Sequence, residues 1–275
     1  MNKILALFEI EFKKIQKIYF AILSMLFLSN IAVFSFMLYA IVKNIEEEMK
    51  VVGGLDLLKE RKGLELFLQS DNIELIYKLS FLFMVGALLW CLYYGFAIWY
   101  KDFSNKSKPI YTLFMLPENR FIIYISKLIT MITLIYGVIF VQFLCWIIDS
   151  LVVKFLSGIS VEHIISIINR SSLYPPRNLI PVMARVEFIM FYVLGPILAM
   201  VVLFTGIMIH KSSKKIGGIR GVIYIVSIIL LYFYLTIAKN TYIDELFKTH
   251  LMFYIVVFVA SIFISYNLLN KKIYD

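Results

Sequence analysis

Residues 128–148 read LITMITLIYGVIFVQFLCWII, twenty-one consecutive residues without a charge. At 1.5 Å of helical rise per residue, such a run covers about 30 Å, the thickness of a bilayer's hydrocarbon core. A backbone crossing that core has no water to bond to, so it must satisfy its own N–H and C=O groups as a helix or as a closed barrel. The run is too long and too continuously apolar for a barrel strand, which alternates lipid-facing and lumen-facing residues over about ten positions. Residues 128–148 are therefore a transmembrane helix, and the rest of the fold follows from finding its counterparts.

Five more uncharged runs occur, at 19–42, 79–100, 188–209, 221–238 and 251–270. Six spans and an all-α integral membrane fold follow. The composition agrees: 61% of the 275 residues are hydrophobic and 16% are charged, where a water-soluble domain carries about a quarter. No stretch between the runs is long enough to bury a core of its own, so residues 1–275 form a single transmembrane domain. No internal repeat or low-complexity linker interrupts it. Gly195-Pro196 inside the fourth run predicts a kink or a close packing point.

Charge placement sets the orientation. With the N-terminus inside, the inner segments carry 15 of the 27 basic residues and five of the 18 acidic ones. The loop Lys211–Arg220 gives the clearest signal, with four basic residues and no acidic one. Lys and Arg near span ends collect on the cytoplasmic side, so the reading is N-in, C-in, in a cell membrane, expected to be a bacterial plasma membrane. The net charge of +9 then reports topology, and nucleic acid is not an expected partner. Residues 2–18 precede the first span with Leu5, Phe8, Phe12 and Ile15 at helical spacing, which predicts an amphipathic helix lying in the inner interface. Cys91 and Cys145 fall at different heights of their spans and read as free, buried thiols.

Several chemistries are missing. No phosphate-binding G-x-x-x-x-G-K-[ST] loop and no H-E-x-x-H is present, and His163, His210 and His250 are far apart. No catalytic residue, metal or cofactor is expected on this chain. The spans hold only mild polar residues. Ser24, Asn30, Ser35 and Ser227 are candidates for lining a pathway, with helix–helix hydrogen bonding as the alternative role. The chain carries no energy source of its own.

The inner segment between spans two and three suggests where one attaches. From Lys106 it reads KSKPIYTLFMLPENR. Ser107 caps a short helix whose first turn accommodates Pro109, and Pro117 stops it. Ile110, Leu113 and Phe114 make an apolar face behind Lys106 and Lys108, a suitable plug for a groove on a cytoplasmic protein. The alternative is an ordinary basic loop against lipid headgroups. Between spans five and six, Thr241 and Asp244 form a capping box that predicts a short outer helix with Tyr242, Ile243, Leu246 and Phe247 on its apolar side.

With its six spans, its leading interfacial helix, the passage Lys106 to Pro117 followed by Arg120 and Ser126-Lys127, and the outer helix before span six, the chain resembles the ABC-2 type transporter permease family over its whole length. The family's passage commonly carries a small or apolar pair where Glu118-Asn119 stand here. The resemblance implies a permease pairing with a second copy or a paralogue, on two separate ATPase subunits that bind ATP-Mg. It implies a coupling helix, Lys108–Leu116, seated in the ATPase groove, with Lys106, Lys108, Pro109, Ile110, Tyr111, Leu113, Phe114, Leu116, Pro117 and Arg120 as its contacts. It makes Lys211, Lys214 and Lys215 a second cytoplasmic contact, places the path between the two permeases along the first, second and fifth spans, and implies export of a peptide, antibiotic, lipid or polysaccharide.

The outer segments, 43–78 and 149–187, are larger than connections require. The first carries Glu46, Glu47 and Glu48 and a Leu64–Leu68 cluster, the second an amphipathic pattern at Val161, Ile164, Ile165 and Ile168. Gating of an amphipathic cationic substrate and plain packing are both compatible with them. Rival functions are a non-transporting sensor or regulatory subunit, a lipid-acting membrane enzyme, for which convergent acid–base groups are lacking, and a channel, for which no ring-forming polar motif stands out.

Overall fold

The computed structural model describes residues 3–50, 53, 55–56, 71–104, 120–157, 189–212, 217–238 and 243–271. These form six long helices: α1 (Lys3–Met49), α2 (Asp71–Ser104), α3 (Arg120–Ser157), α4 (Gly195–Lys211), α5 (Gly217–Ala238) and α6 (Ile243–Lys271). All six, the fourth together with the end of the helical turn that precedes it (Tyr192–Lys211), are long and apolar enough to cross a membrane. This is a multi-pass, all-α membrane protein. Large apolar side chains such as Met25, Leu28 and Phe36 on α1, and Val222, Leu230 and Tyr234 on α5, lie on its exposed surface. In water such a surface would be an aggregation liability; against acyl chains it costs nothing.

The helices overrun the apolar runs that identify them. α1 is 47 residues long, about 70 Å at helical rise, and it passes from residue 18 into the span without a break. Residues 3–18 of the amphipathic segment are helical and continuous with the span as the first part of α1. No Gly or Pro stands between Lys3 and Met49 to offer a turn, and a helix continues where nothing stops it. Lys50, in the left-handed conformation at φ 53°, terminates it. The apolar stripe is also partly revised. Ile15 is buried, Phe8 and Phe12 stack with centroids 5.8 Å apart, and Leu5 is exposed. Likewise, Ile243 begins α6 itself, so the expected short outer helix is the opening of the last span. Thr241 and Tyr242 lie outside the described residues.

Pro196 acts through the turn that precedes it. Ile189–Leu194 form a π-helical turn that runs directly into Gly195 and Pro196 of α4. Proline removes a donor and its ring crowds the carbonyl four residues earlier, so a widened turn relieves both. Within this widened turn the Met190 carbonyl also accepts from the Tyr254 hydroxyl of α6 at 3.4 Å, a contact that fastens the turn to a neighbouring helix.

The chain divides into two compact units. One comprises residues 1–15, 90–135 and 180–275, the other 16–89 and 136–179. In the first, α4 packs against α5 and α6 around Val202, Phe253 and Val257, with Tyr224, Ile225, Ile228, Tyr232 and Tyr254 closing the edges. In the second, Asn30 of α1, Ser80 of α2 and Gln142 and Trp146 of α3 meet in one buried polar knot. Gln142 donates to Asn30 at 3.0 Å and to Ser80 at 2.6 Å, Asn30 returns a bond to Gln142 at 3.2 Å, Trp146 donates to Ser80 at 2.8 Å, and Ser80 donates to Asn30. Every member is satisfied, so the knot fixes three helices in register without leaving a stranded dipole.

Candidate functional site

The first unit contains a buried cluster of charge. Glu11 sits on α1 one turn before Ile15, Asp102 two residues before the end of α2, and Lys127 two turns into α3. Their exposures are 6%, 8% and 1%. The Lys127 ammonium donates to a Glu11 carboxylate oxygen at 3.2 Å and to Asp102, and lies 5.1 Å from the centroid of the Trp99 ring. Lys14, itself exposed, closes the charge balance with a 3.2 Å contact to Glu11. Two carboxylates meet two ammonium groups. Burying an isolated ion costs several kcal/mol or more, and only close pairing of this kind offsets it. The Trp99 face adds a cation–π contact.

The same residues tie into aromatic packing. Trp99 packs edge-on to Phe204 of α4 with centroids 5.7 Å apart, and Phe204 meets Tyr124 of α3 at 5.8 Å. Phe121 packs edge-on to Tyr266 of α6 at 5.4 Å. Arg120, the first residue of α3, donates to the Leu269 carbonyl near the end of α6 at 3.4 Å. The end of α2 and the start of α3, which flank residues 105–119, are thereby fastened to α1, α4 and α6. What the arrangement does physically is hold these helix ends together through ion pairs and ring contacts.

The expected contact residues Lys106, Lys108, Pro109, Ile110, Tyr111, Leu113, Phe114, Leu116 and Pro117 lie outside the described residues, as do Lys214 and Lys215. Arg120 is half-buried in the bond just given. Lys211 is half-buried, its ammonium 5.2 Å from the centroid of the Tyr100 ring. Of the pathway candidates, Ser24, Ser35 and Ser227 are exposed and Asn30 is buried in the polar knot. Ser24 and Ser227 bond carbonyls of their own helices, at Phe20 and Tyr224. Helix–helix hydrogen bonding is therefore less general than expected. Ser29, Thr130 and Thr133 also bond back three or four residues, because in a dry span the nearest free lone pair is on the preceding turn. Thr205 does both, reaching Val201 on its own helix and Ser265 across to α6 at 2.9 Å.

The charge cluster escapes a reading by charge counting. Lys127 stands at the edge of an uncharged run, Asp102 just past another, and Glu11 among surface lysines, so each reads as a solvated flank. One signal was available. Glu11 is three residues after Phe8 and four before Ile15, which puts a carboxylate on the apolar stripe, where only a buried partner makes it tolerable.

Asp149, in the second unit, contrasts with that cluster. It is 5% exposed and has no hydrogen bond or ion pair among the described residues, although Tyr77 and Ser150 lie beside it. A buried carboxyl without a counter-ion gains nothing from its charge. Asp149→Asn, neutral and nearly isosteric, should therefore fold with a melting temperature in detergent no lower than that of the parent. The equivalent change at Asp102 should lower it by several degrees, since it removes one of the two carboxylates that hold the buried Lys127 and leaves Lys127 and Lys14 to share Glu11. A loss at Asp149 as large as at Asp102 would mean that the carboxylate is paired.

Cys91 and Cys145 are both free and buried. Among the described residues no group of three His, Cys, Asp or Glu side chains could hold a metal ion. No family, curated protein or solved structure matches the chain. The class that the fold and this cluster define is a multi-pass helical membrane protein with a buried ion-pair cluster shared by α1, the end of α2 and the start of α3.

Proposed function

We propose that this chain is the permease subunit of an ATP-binding cassette exporter, N-in and C-in, driven by separate ATPase subunits and paired with a second permease. The observation that carries the reading is the segment from Lys106 to Arg120. Its pattern is that of a short helix, basic at its entrance and apolar along Ile110, Leu113 and Phe114, and it resembles the coupling passage of ABC-2 permeases. Two features of the described residues support it. Six helices suffice to cross the membrane, and the helix ends on either side of the segment are fastened by Lys127 and Arg120, so a push on the segment has something rigid to act against. Hydrolysis occurs on the partner, and the substrate is an amphipathic molecule such as a peptide, antibiotic or lipid.

The test is to break the apolar face while sparing the stalk. Leu113→Asp with Phe114→Ala puts a charge into the groove contact and removes an aromatic anchor, a loss of the kind that costs 2 kcal/mol or more at the centre of an interface. The ATPase subunit that co-purifies with the parent chain in mild detergent should fall by about tenfold or more, while the variant chain accumulates in the membrane normally. Undiminished co-purification would remove the coupling assignment.

A further inference from the structure

We infer that Glu11, Asp102 and Lys127 form a transmission joint that links the first turns of α1 to the stalk of the 105–119 segment. The inference rests on the permease reading and names the positioning residues through which it acts. Chain connectivity fixes part of the argument. Residues 105–119 begin at the end of α2 and finish at the start of α3, so a displacement of that segment is delivered first to Ser104 and Arg120. Asp102 and Lys127 face each other across those two ends, and their ion pair makes the ends move as one body. The same ammonium holds Glu11, which carries the displacement into residues 3–15 of α1.

Three properties suit the cluster to this role. It is buried, so salt and water do not weaken it as they do surface pairs. It is balanced in charge, with Lys14 offsetting the second carboxylate, so it can be retained without a stranded ion. It also takes one residue from each of three helices, whereas the surface pair Glu9–Lys13, at 2.7 Å within one turn of α1, links nothing. Buried ion pairs add little net stability over apolar packing, and their best-attested use is to fix which elements meet and in what register.

The experiment follows hydrogen exchange of residues 3–15 in the chain assembled with its ATPase subunit, with and without a non-hydrolysable ATP analogue. In the parent, nucleotide should change exchange in residues 3–15 by about threefold or more, since local opening reports how firmly a segment is held. Glu11→Gln removes only the arm's charge and leaves the Asp102–Lys127 pair intact. It should keep the ATPase subunit bound but lose the nucleotide-dependent change. Lys127→Arg, which preserves the charge, should keep it. A second route to the same loss is the fully neutral variant Glu11→Gln, Asp102→Asn, Lys127→Met, which strands no ion should the single variant fold poorly. Parent-like nucleotide response in Glu11→Gln, or no response in an assembled parent, overturns the joint and leaves the permease reading standing. Failure of the parent to hold any ATPase subunit overturns the permease reading, and the joint with it.

Discussion

Lys127→Met should cost the folded chain about 3–5 kcal/mol, the usual penalty for breaking a buried ion pair from one side. The reason is the partners it abandons. Methionine fills much of the lysine's volume and leaves the contact with Trp99 apolar, so packing changes little. What changes is that the carboxylates of Glu11 and Asp102, both nearly inaccessible, lose the ammonium between them. Lys14 still contacts Glu11, but no ion pair other than that with Lys127 is formed by Asp102 among the described residues. The melting temperature in detergent should fall by ten degrees or so, or the variant should not accumulate in the membrane at all. Rescue separates this account from simple overpacking. Adding Asp102→Asn and Glu11→Gln neutralises what Lys127→Met stranded and should restore most of the loss. A cavity or clash at position 127 would not respond to changes on α1 and α2. If the triple variant is no more stable than the single one, the penalty lies in shape and not in charge.

The same cluster marks the boundary between what the sequence discloses and what it does not. The six spans are readable because lipid enforces a rule with few exceptions. A run such as 128–148 has one way to satisfy its backbone, and a charge-free window of that length seldom arises otherwise. The perturbation at Pro196 is readable in the sequence, but its form as a π turn fastened to α6 by Tyr254 is not, since that hydroxyl comes from a helix sixty residues away. The ends of the helices were read too short. Hydropathy reports where lipid begins, whereas the helix continues until something stops it, and α1 meets no such stop between Lys3 and Met49. The burial of Lys127 is not legible for a related reason. Charge counting treats every lysine at the edge of an apolar run as facing water, yet the helix that carries it begins at Arg120, two turns earlier. Burial at position 127 depends on what α1 and α2 bring to it. The polar knot of Asn30, Ser80 and Gln142 is only partly legible: Asn30 stands out as a polar residue within a span, but which neighbours answer it requires the fold.

Gly221→Ala should be the most damaging single methyl in the α4–α5 contact. A Cβ at 221 would sit 2.5 Å from the backbone oxygen of Gly206, with the backbone nitrogen of His210 at 3.2 Å. Neither can rotate away, so the two helices must separate, which draws Tyr224, Ile225 and Ile228 of α5 off the core of Val202, Phe253 and Val257. Overpacking of this kind costs about 1–3 kcal/mol. In lipid the loss is felt directly, because close van der Waals contact between small residues is what holds spans together. Gly206→Ala meets a different neighbour. Its Cβ would lie 2.6 Å from the tip of the Ile225 side chain and 3.3 Å from the Gly221 oxygen, and Ile225 can change rotamer, so the loss should be smaller. Gly86→Ala meets nothing within 4 Å and gains about 1 kcal/mol of helix propensity in the scales measured in water. Melting temperatures of the three variants in one detergent should therefore rank Gly86→Ala highest, Gly206→Ala next and Gly221→Ala lowest, with the first at or above the parent. A Gly221→Ala chain as stable as the Gly86→Ala chain would mean that α4 and α5 do not meet backbone to backbone at this crossing.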